Sequence, residues 1–304
     1  MNERMKRRAQ YRNWKKGYYH LCTDGKKCIL CHDAAEYANL VNVIAVLGLK
    51  FPVKVHVYEV MRSHTHLLLS GRGTDCVDAF DYLKYRASRR LKEDGHPPLP
   101  KEYDFRLIPV EDEEQMRRNI VYIDRNAFEV QDVIPGGYLW GSSMMFYSQV
   151  PGLFETVRAG DLSSRQLWKM LGTRIPIPDD YVIHIPTGMV LPWSFVDSKV
   201  FYKVFPTARQ YQTALVRDFE GYVLVADALG ETIGFTQEEA DMIIDQVLLR
   251  DYQGVSPKQL SADIRFRLAA DLQKKYRLTV DQLATGLSLP TRLLAQALRS
   301  KQYR

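Results

Sequence analysis

The first half of the sequence predicts an α+β fold, an antiparallel sheet with helices against it, and three observations predict it. Strand-like runs occur at 17–23, 52–61, 64–70 and 103–110, where apolar residues alternate or run on. Helical periodicity fills 33–50, 76–95 and 111–130. Only Arg62-Ser63 separates the second and third strands, which makes them an antiparallel hairpin. The order is β-α-β-β-α-β followed by a helix, the ferredoxin-like split βαβ sandwich. RNA-recognition modules share this order, so it does not itself name a function.

Each element has a local reason. "GYYHLCT" (17–23) is the first strand, and Asp33 is the N-cap of the helix that follows, which ends near Gly48. "PVKVHVYEVM" alternates, placing Val53, Val55 and Val57 inside and Lys54, His56 and Tyr58 outside. The second helix carries Phe80, Leu83, Ala87 and Leu91 on one stripe, and Lys84, Arg86, Arg89, Arg90 and Lys92 on the other face. "YDFRLIPV" (103–110) is the fourth strand. The third helix opens with acidic residues, which its dipole favours.

The chain of 304 residues has room for two domains, expected at 1–150 and 151–304. Past Ser163 it is mostly helical, apart from a short hairpin around "YVIHIPTGMVLP". Thr236 and Glu239 form a capping box. Residues 261–300 divide into three helices, with Leu283-Ala284, Leu287, Leu289 and Leu293 at the spacing of a helix-turn-helix core. Thr291, Arg292, Gln296 and Arg299 are then exposed on the helix that would enter a major groove. The alternative is a helical bundle for packing or for protein partners.

Hydrophobic residues make up 46% of the sequence and charged residues 26%, a globular profile. Lys and Arg (42) exceed Asp and Glu (36), for a net charge of +6. Part of the excess clusters in an N-terminal arm that includes Lys15 and Lys16, suited to a polyanion or simply solvated. No apolar run approaches the roughly twenty residues of a membrane span, and the first twenty residues lack the core of a signal peptide. A cytoplasmic, nucleoid-associated protein without a membrane partner is expected. Cys22, Cys28 and Cys31 cluster, but no second pair follows to complete a zinc site.

"MRSHTHLLLS" (61–70) places His64 and His66 two residues apart, so in a strand both face one way. In "NIVYIDRNAF", Tyr122 and Asn126 are four residues apart on one helix face. In the expected topology that helix lies beside the histidine strand. Two imidazoles, an amide oxygen and a phenol suit phosphodiester chemistry: a divalent ion polarises the phosphate, and tyrosine is the nucleophile. Read singly, Tyr122 fits a core position and Asn126 a helix end.

"GYYHLCTDG", "VYEVMRSHTHLLLSG", "FRLIPVEDEEQMRRNIVYIDRN" and "GYLWGSS", taken in order, resemble the single-tyrosine HUH transposases, in particular the REP-associated tyrosine transposases. The resemblance covers about residues 15 to 150. It implies His64, His66 and Asn126 as ligands of Mg²⁺ or Mn²⁺ and Tyr122 as the nucleophile. It also implies single-stranded DNA cleavage and strand transfer at hairpins formed by palindromic ends, leaving a 5′-phosphotyrosine and a free 3′-hydroxyl. Departures from the family pattern mark a diverged branch: Arg62-Ser63 replaces Pro-Asn, Thr65 a hydrophobic residue, Asp124 a histidine, and Ala127-Phe128 Pro-Val.

Beside such a site, Lys15, Lys16, Lys84, Arg86, Arg89 and Arg90 are expected phosphate contacts, and Arg292 and Arg299 contacts to duplex DNA. Tyr18, Tyr19 and Trp140 are either base-stacking surfaces or core. The protein is expected as a monomer or homodimer. The competing reading is a regulator that binds nucleic acid without cutting it.

Overall fold

The structure, a computed structural model, describes residues 3–24, 28–130, 133 and 135–300. The chain begins with helix α1 (Glu3–Gln10), strand β1 (Gly17–Thr23), helix α2 (Ala34–Ala45) and the short helix α3 (Leu47–Lys50). Strands β2 (Lys54–Val60) and β3 (Thr65–Gly71), helix α4 (Gly73–Glu93), strand β4 (Phe105–Val110) and helix α5 (Glu113–Arg125) follow. Sequence-local signals set several of these limits. Asp33 accepts from the amides of Ala35 and Glu36 at the start of α2, and Asp112 accepts from Gln115 at the start of α5.

The four strands form one sheet in the order β2-β3-β1-β4, with every pairing antiparallel. Because paired residues share a face, the register defines two sides. Tyr19, Leu21 and Thr23 lie with Pro109, Leu107 and Phe105. Phe80 of α4 stacks against Phe105 with ring centres 4.3 Å apart, and α2 packs on α4, so these helices cover that side. Tyr18, His20 and Cys22 lie with Ser70, Leu68 and His66 on the other side, which α5 covers.

The hairpin link is longer than its expected two residues. Strand β2 ends at Val60 and β3 starts at Thr65, with the Met61 amide donating to the His64 carbonyl. Strand β2 also departs from its expected alternation. Lys54 is exposed, but His56 and Tyr58 are buried. A register irregularity falls between Val55 and Val57, so that Tyr58 pairs with Leu67 on the side covered by α2 and α4, while Val57 pairs with Leu68 on the α5 side. Tyr58 stacks on Phe195 at 5.5 Å, and His56 is held by the Asp197 carbonyl and the Ser70 hydroxyl.

A second, three-stranded sheet joins β5 (Thr156–Arg158), β6 (Val182–His184) and β7 (Met189–Val190), with helix α6 (Ser164–Leu171) between the first two. The expected hairpin at 181–192 is β6-β7. It attaches to α2 through polar and apolar contacts: Asn42 donates to the Gly188 carbonyl and accepts from the Val190 amide, and Ala45 shares a core with Ile183 and Val190. Helices α7 (Lys199–Val204) and α8 (Ala208–Arg217) follow. The chain accordingly divides into two units at Met1–Gln212 and Thr213–Arg304. The break falls well past 150, because residues 151–212 build onto α2 and β2.

The second unit contains α9 (Phe219–Leu229), α10 (Gln237–Tyr252), α11 (Ala262–Tyr276), α12 (Val280–Gly286) and α13 (Thr291–Arg299). The Thr236–Glu239 capping box is formed. Leu283, Ala284, Leu287 and Leu289 enter one core with Ile244 and Leu272. Leu293 does not: it is 54% exposed, and Leu294 is the buried residue. One position of helical rotation, about 100°, separates them. Thr291, Arg292, Gln296 and Arg299 are exposed as expected. Among the described residues, no helix is long and apolar enough to cross a membrane.

Candidate active site

The β1–β3 pairing and the C-terminal end of α5 bring four side chains together. Residue His66 lies within β3, on the side covered by α5, and His64 precedes the strand by one residue. Their rings stand edge to face, with centres 4.9 Å apart. The Tyr122 ring meets His66 edge to face at 5.5 Å. One turn later, the Oδ1 atom of Asn126 lies 3.5 Å from His64 Nε2. The residues the sequence singled out therefore converge, although they come from two segments about sixty positions apart.

The orientation of Asn126 follows from its partners. Its Nδ2 donates to the carbonyls of Tyr122 and Ile123 at 2.9 and 3.1 Å. Only the oxygen is left to turn toward the histidines. The separation of 3.5 Å from His64 is long for a hydrogen bond. It is close to the spacing of two ligands that each sit about 2.1 Å from one ion. Among the described residues, the Nε2 atom of His66 is buried with no hydrogen-bond partner within 3.5 Å. A buried polar atom of this kind costs about 1–3 kcal/mol unless something satisfies it. Two imidazole nitrogens and an amide oxygen form a donor set that could hold a divalent ion. Burial holds the His66 pKa well below its ordinary value, reinforced by His64 and His20 and opposed by the Asn126 amide. The ring is therefore neutral near pH 7, as a metal ligand must be.

Tyr122 is only 2% exposed. Its surroundings have to open before a polymer substrate reaches the hydroxyl. Behind the site, Asp124 is fully buried and accepts from the Tyr211 hydroxyl of α8 at 2.6 Å. Burial pushes the Asp124 carboxyl up to about 7, against the pull of that hydrogen bond.

The sequence reading missed two members of this neighbourhood. His20, fully buried in β1, places Nε2 3.0 Å from His66 Nδ1 and Nδ1 2.7 Å from Asn119 Oδ1. Asn119 lies three residues before Tyr122 and seven before Asn126, a helical face that the spacing already contained. His20 sits between Tyr18 and Cys22 on the alternation of β1, which gave the second signal.

The expected phosphate contacts are placed differently. Helix α4 packs on the side of the sheet away from His66, so Lys84, Arg86, Arg89 and Arg90 do not stand beside the histidines. The protein itself also engages them. Lys84 donates to the Lys101 and Tyr103 carbonyls, and Arg86 to the Gly172 carbonyl and the Tyr82 hydroxyl. Arg89 pairs with Glu93, and Arg90 with Asp94. In the arm, Arg4, Arg7 and Arg8 of α1 pair with Asp78 and Asp81 of α4, while Lys15 and Lys16 are exposed. Exposed Arg106, opposite Cys22 in the sheet, belongs to the site's own side, and exposed Arg62 lies in the loop before His64. Tyr19 is core and stacks on Trp14, Trp140 stacks on Tyr37, and Tyr18 is 38% exposed.

No family model matches this chain, and no curated protein does. A solved structure of a REP-associated tyrosine transposase bound to a REP hairpin is similar, with 16% identity over 46% of this chain and 84% of that one. The TM-score is 0.36. A likeness of that size fixes neither fold nor activity.

Proposed function

We propose that this protein cleaves and rejoins single-stranded DNA in a metal-dependent reaction, with Tyr122 as nucleophile and His64, His66 and Asn126 as metal ligands. The observation that carries the reading is the convergence of these four side chains, with the buried Nε2 of His66 lacking a partner. The strand order and the placement of α2 and α4 on one side support a ferredoxin-like sandwich around that centre.

A divalent cation, Mg²⁺ or Mn²⁺, supplies a Lewis acid that polarises a non-bridging phosphate oxygen. The chain's own groups do the rest. Asn126 and the two histidines would hold that ion beside Tyr122. The phenol oxygen attacks phosphorus and the bond to the 3′-oxygen breaks. The phenol proton ends on that oxygen, giving a 5′-phosphotyrosine and a free 3′-hydroxyl. Attack by the 3′-hydroxyl of another strand reverses the step and rejoins the DNA. Arg106, on the site's side, is a phosphate-positioning candidate, and exposed Arg62, Lys15 and Lys16 are further candidates. Hairpins formed by palindromic ends are the substrate class in this reading. Helices α12 and α13 act as a helix-turn-helix through Arg292 and Arg299.

The burial of Tyr122 favours a second reading, a regulator that binds nucleic acid without cutting it. Cleavage of labelled hairpin oligonucleotides with Mn²⁺ separates the two. Under the first reading, His64→Ala and His66→Ala abolish cleavage with circular dichroism unchanged, and EDTA abolishes it in the parent. Binding without cleavage under every metal condition establishes the second.

A further inference from the structure

The hydrogen-bond directions around His66 can be read from one fixed end. A backbone carbonyl only accepts, so the contact at 2.7 Å between Gln115 O and the Asn119 side chain must use the amide nitrogen, Nδ2. The Oδ1 of Asn119 then faces His20 Nδ1 at 2.7 Å, and it too only accepts. His20 Nδ1 therefore carries the proton, and in the neutral ring Nε2 is left as an acceptor. That atom lies 3.0 Å from His66 Nδ1, which must donate to it. One proton on Nδ1 leaves the Nε2 of His66 with a bare lone pair. Among the described residues, that nitrogen is buried and has no hydrogen-bond partner within 3.5 Å.

We propose that Asn119 and His20 are positioning residues that hold His66 in its Nδ1–H tautomer, so that an Nε2 lone pair faces Asn126 and His64. The opposite tautomer would direct an N–H into the place where a ligand lone pair is required, and it would set two lone pairs against each other across the 3.0 Å contact between His66 Nδ1 and His20 Nε2. The relay spans three elements: α5 supplies Asn119, β1 His20 and β3 His66. Partners behind a metal ligand fix its tautomer and orientation in this way. The function assigned to the relay rests on the metal reading above, but the tautomer is a property of the protein without metal.

Long-range ¹H–¹⁵N correlation spectra of the metal-free, histidine-labelled full chain read the tautomer directly, with His66 signals assigned by their loss in His66→Gln. The expected result is a protonated Nδ1 and an unprotonated Nε2 on His66. Asn119→Leu, of similar size but without an acceptor, should release His20 and give His66 mixed tautomers. Asn119→Asp, which keeps an acceptor, should restore the parent pattern. Mn²⁺ affinity, measured by calorimetry, should fall about 10- to 100-fold in Asn119→Leu and recover in Asn119→Asp. If Asn119→Leu does not fold, His20→Gln against His20→Leu repeats the comparison, since the Gln oxygen can accept from His66. An Nε2–H on His66 in the parent, or a His66 tautomer unchanged by Asn119→Leu, overturns the proposal. A parent that shows the expected tautomer but binds no Mn²⁺ supports the relay and overturns the metal reading.

Discussion

The hydroxyl of Tyr211 donates to Asp124 Oδ2 at 2.6 Å, and this bond ties α8 to the helix that carries Tyr122. Asp124 is fully buried, and its carboxyl titrates near 7 where an unfolded chain titrates near 3.8. Between those values the folded protein holds a proton that the unfolded chain has lost. Stability from this group is complete below about pH 4 and is lost as the pH rises to about 7. At about 1.4 kcal/mol per unit, the upper limit is about 4 kcal/mol. Asp124→Asn keeps an acceptor for Tyr211 and removes the titration. Its gain over the parent in urea unfolding should be larger at pH 8 than at pH 4; a gain independent of pH contradicts the assignment.

Acid acts in the opposite direction through His56. This ring is buried between Asp197 and Ser70, and burial lowers its pKa, with the Asp197 carbonyl pulling the other way. Below about pH 6.5 the unfolded chain binds a proton that the folded ring resists, so stability falls with falling pH. His56→Gln should flatten the loss of stability between pH 6.5 and pH 5. An unfolding midpoint in the variant that drops as steeply as the parent's would show that His56 is not the group responsible.

The rotational setting of α13 makes a pair of contrasts. Leu294→Ala should cost about 2–5 kcal/mol, while Leu293→Ala on the exposed side should stay within about 0.5 kcal/mol. On the same exposed side, Arg292→Ala and Arg299→Ala should leave stability unchanged. They should weaken binding to duplex-flanked hairpins and flatten its salt dependence, because each lost phosphate contact releases fewer counterions. Gel-shift titrations at two salt concentrations measure this. Unchanged affinity at both assigns the helices to packing or to protein partners.

The legible parts of this fold were those written locally. The strand 17–23, the N-cap at Asp33, and the capping box at Thr236 are set by residues within one turn or one strand. So was the histidine, tyrosine and asparagine set, whose spacing repeats every two residues in a strand and every four in a helix. What escaped is non-local. Asn42 binds backbone atoms of Gly188 and Val190 nearly 150 residues on. His20 read as one residue of a strand because Asn119, its partner, lies 99 positions away. His56 is buried against Asp197, and the register shift between Val55 and Val57 turns Tyr58 to the side of Leu67, so alternation alone placed both outside. Helix α4 showed a basic face in sequence, but only the sheet register shows that it packs on the side away from His66.

The most direct measurement of the central claim is covalent capture by Tyr122. The full chain is incubated with Mn²⁺ and a hairpin oligonucleotide labelled on the strand 3′ of the cleavage point, then denatured and resolved by gel. The parent should carry label in a band that survives denaturation, and peptide mapping should locate it on Tyr122. Tyr122→Phe should bind the hairpin with unchanged affinity and yield no labelled band. A Tyr122→Phe protein that still forms the adduct contradicts the assignment of the nucleophile.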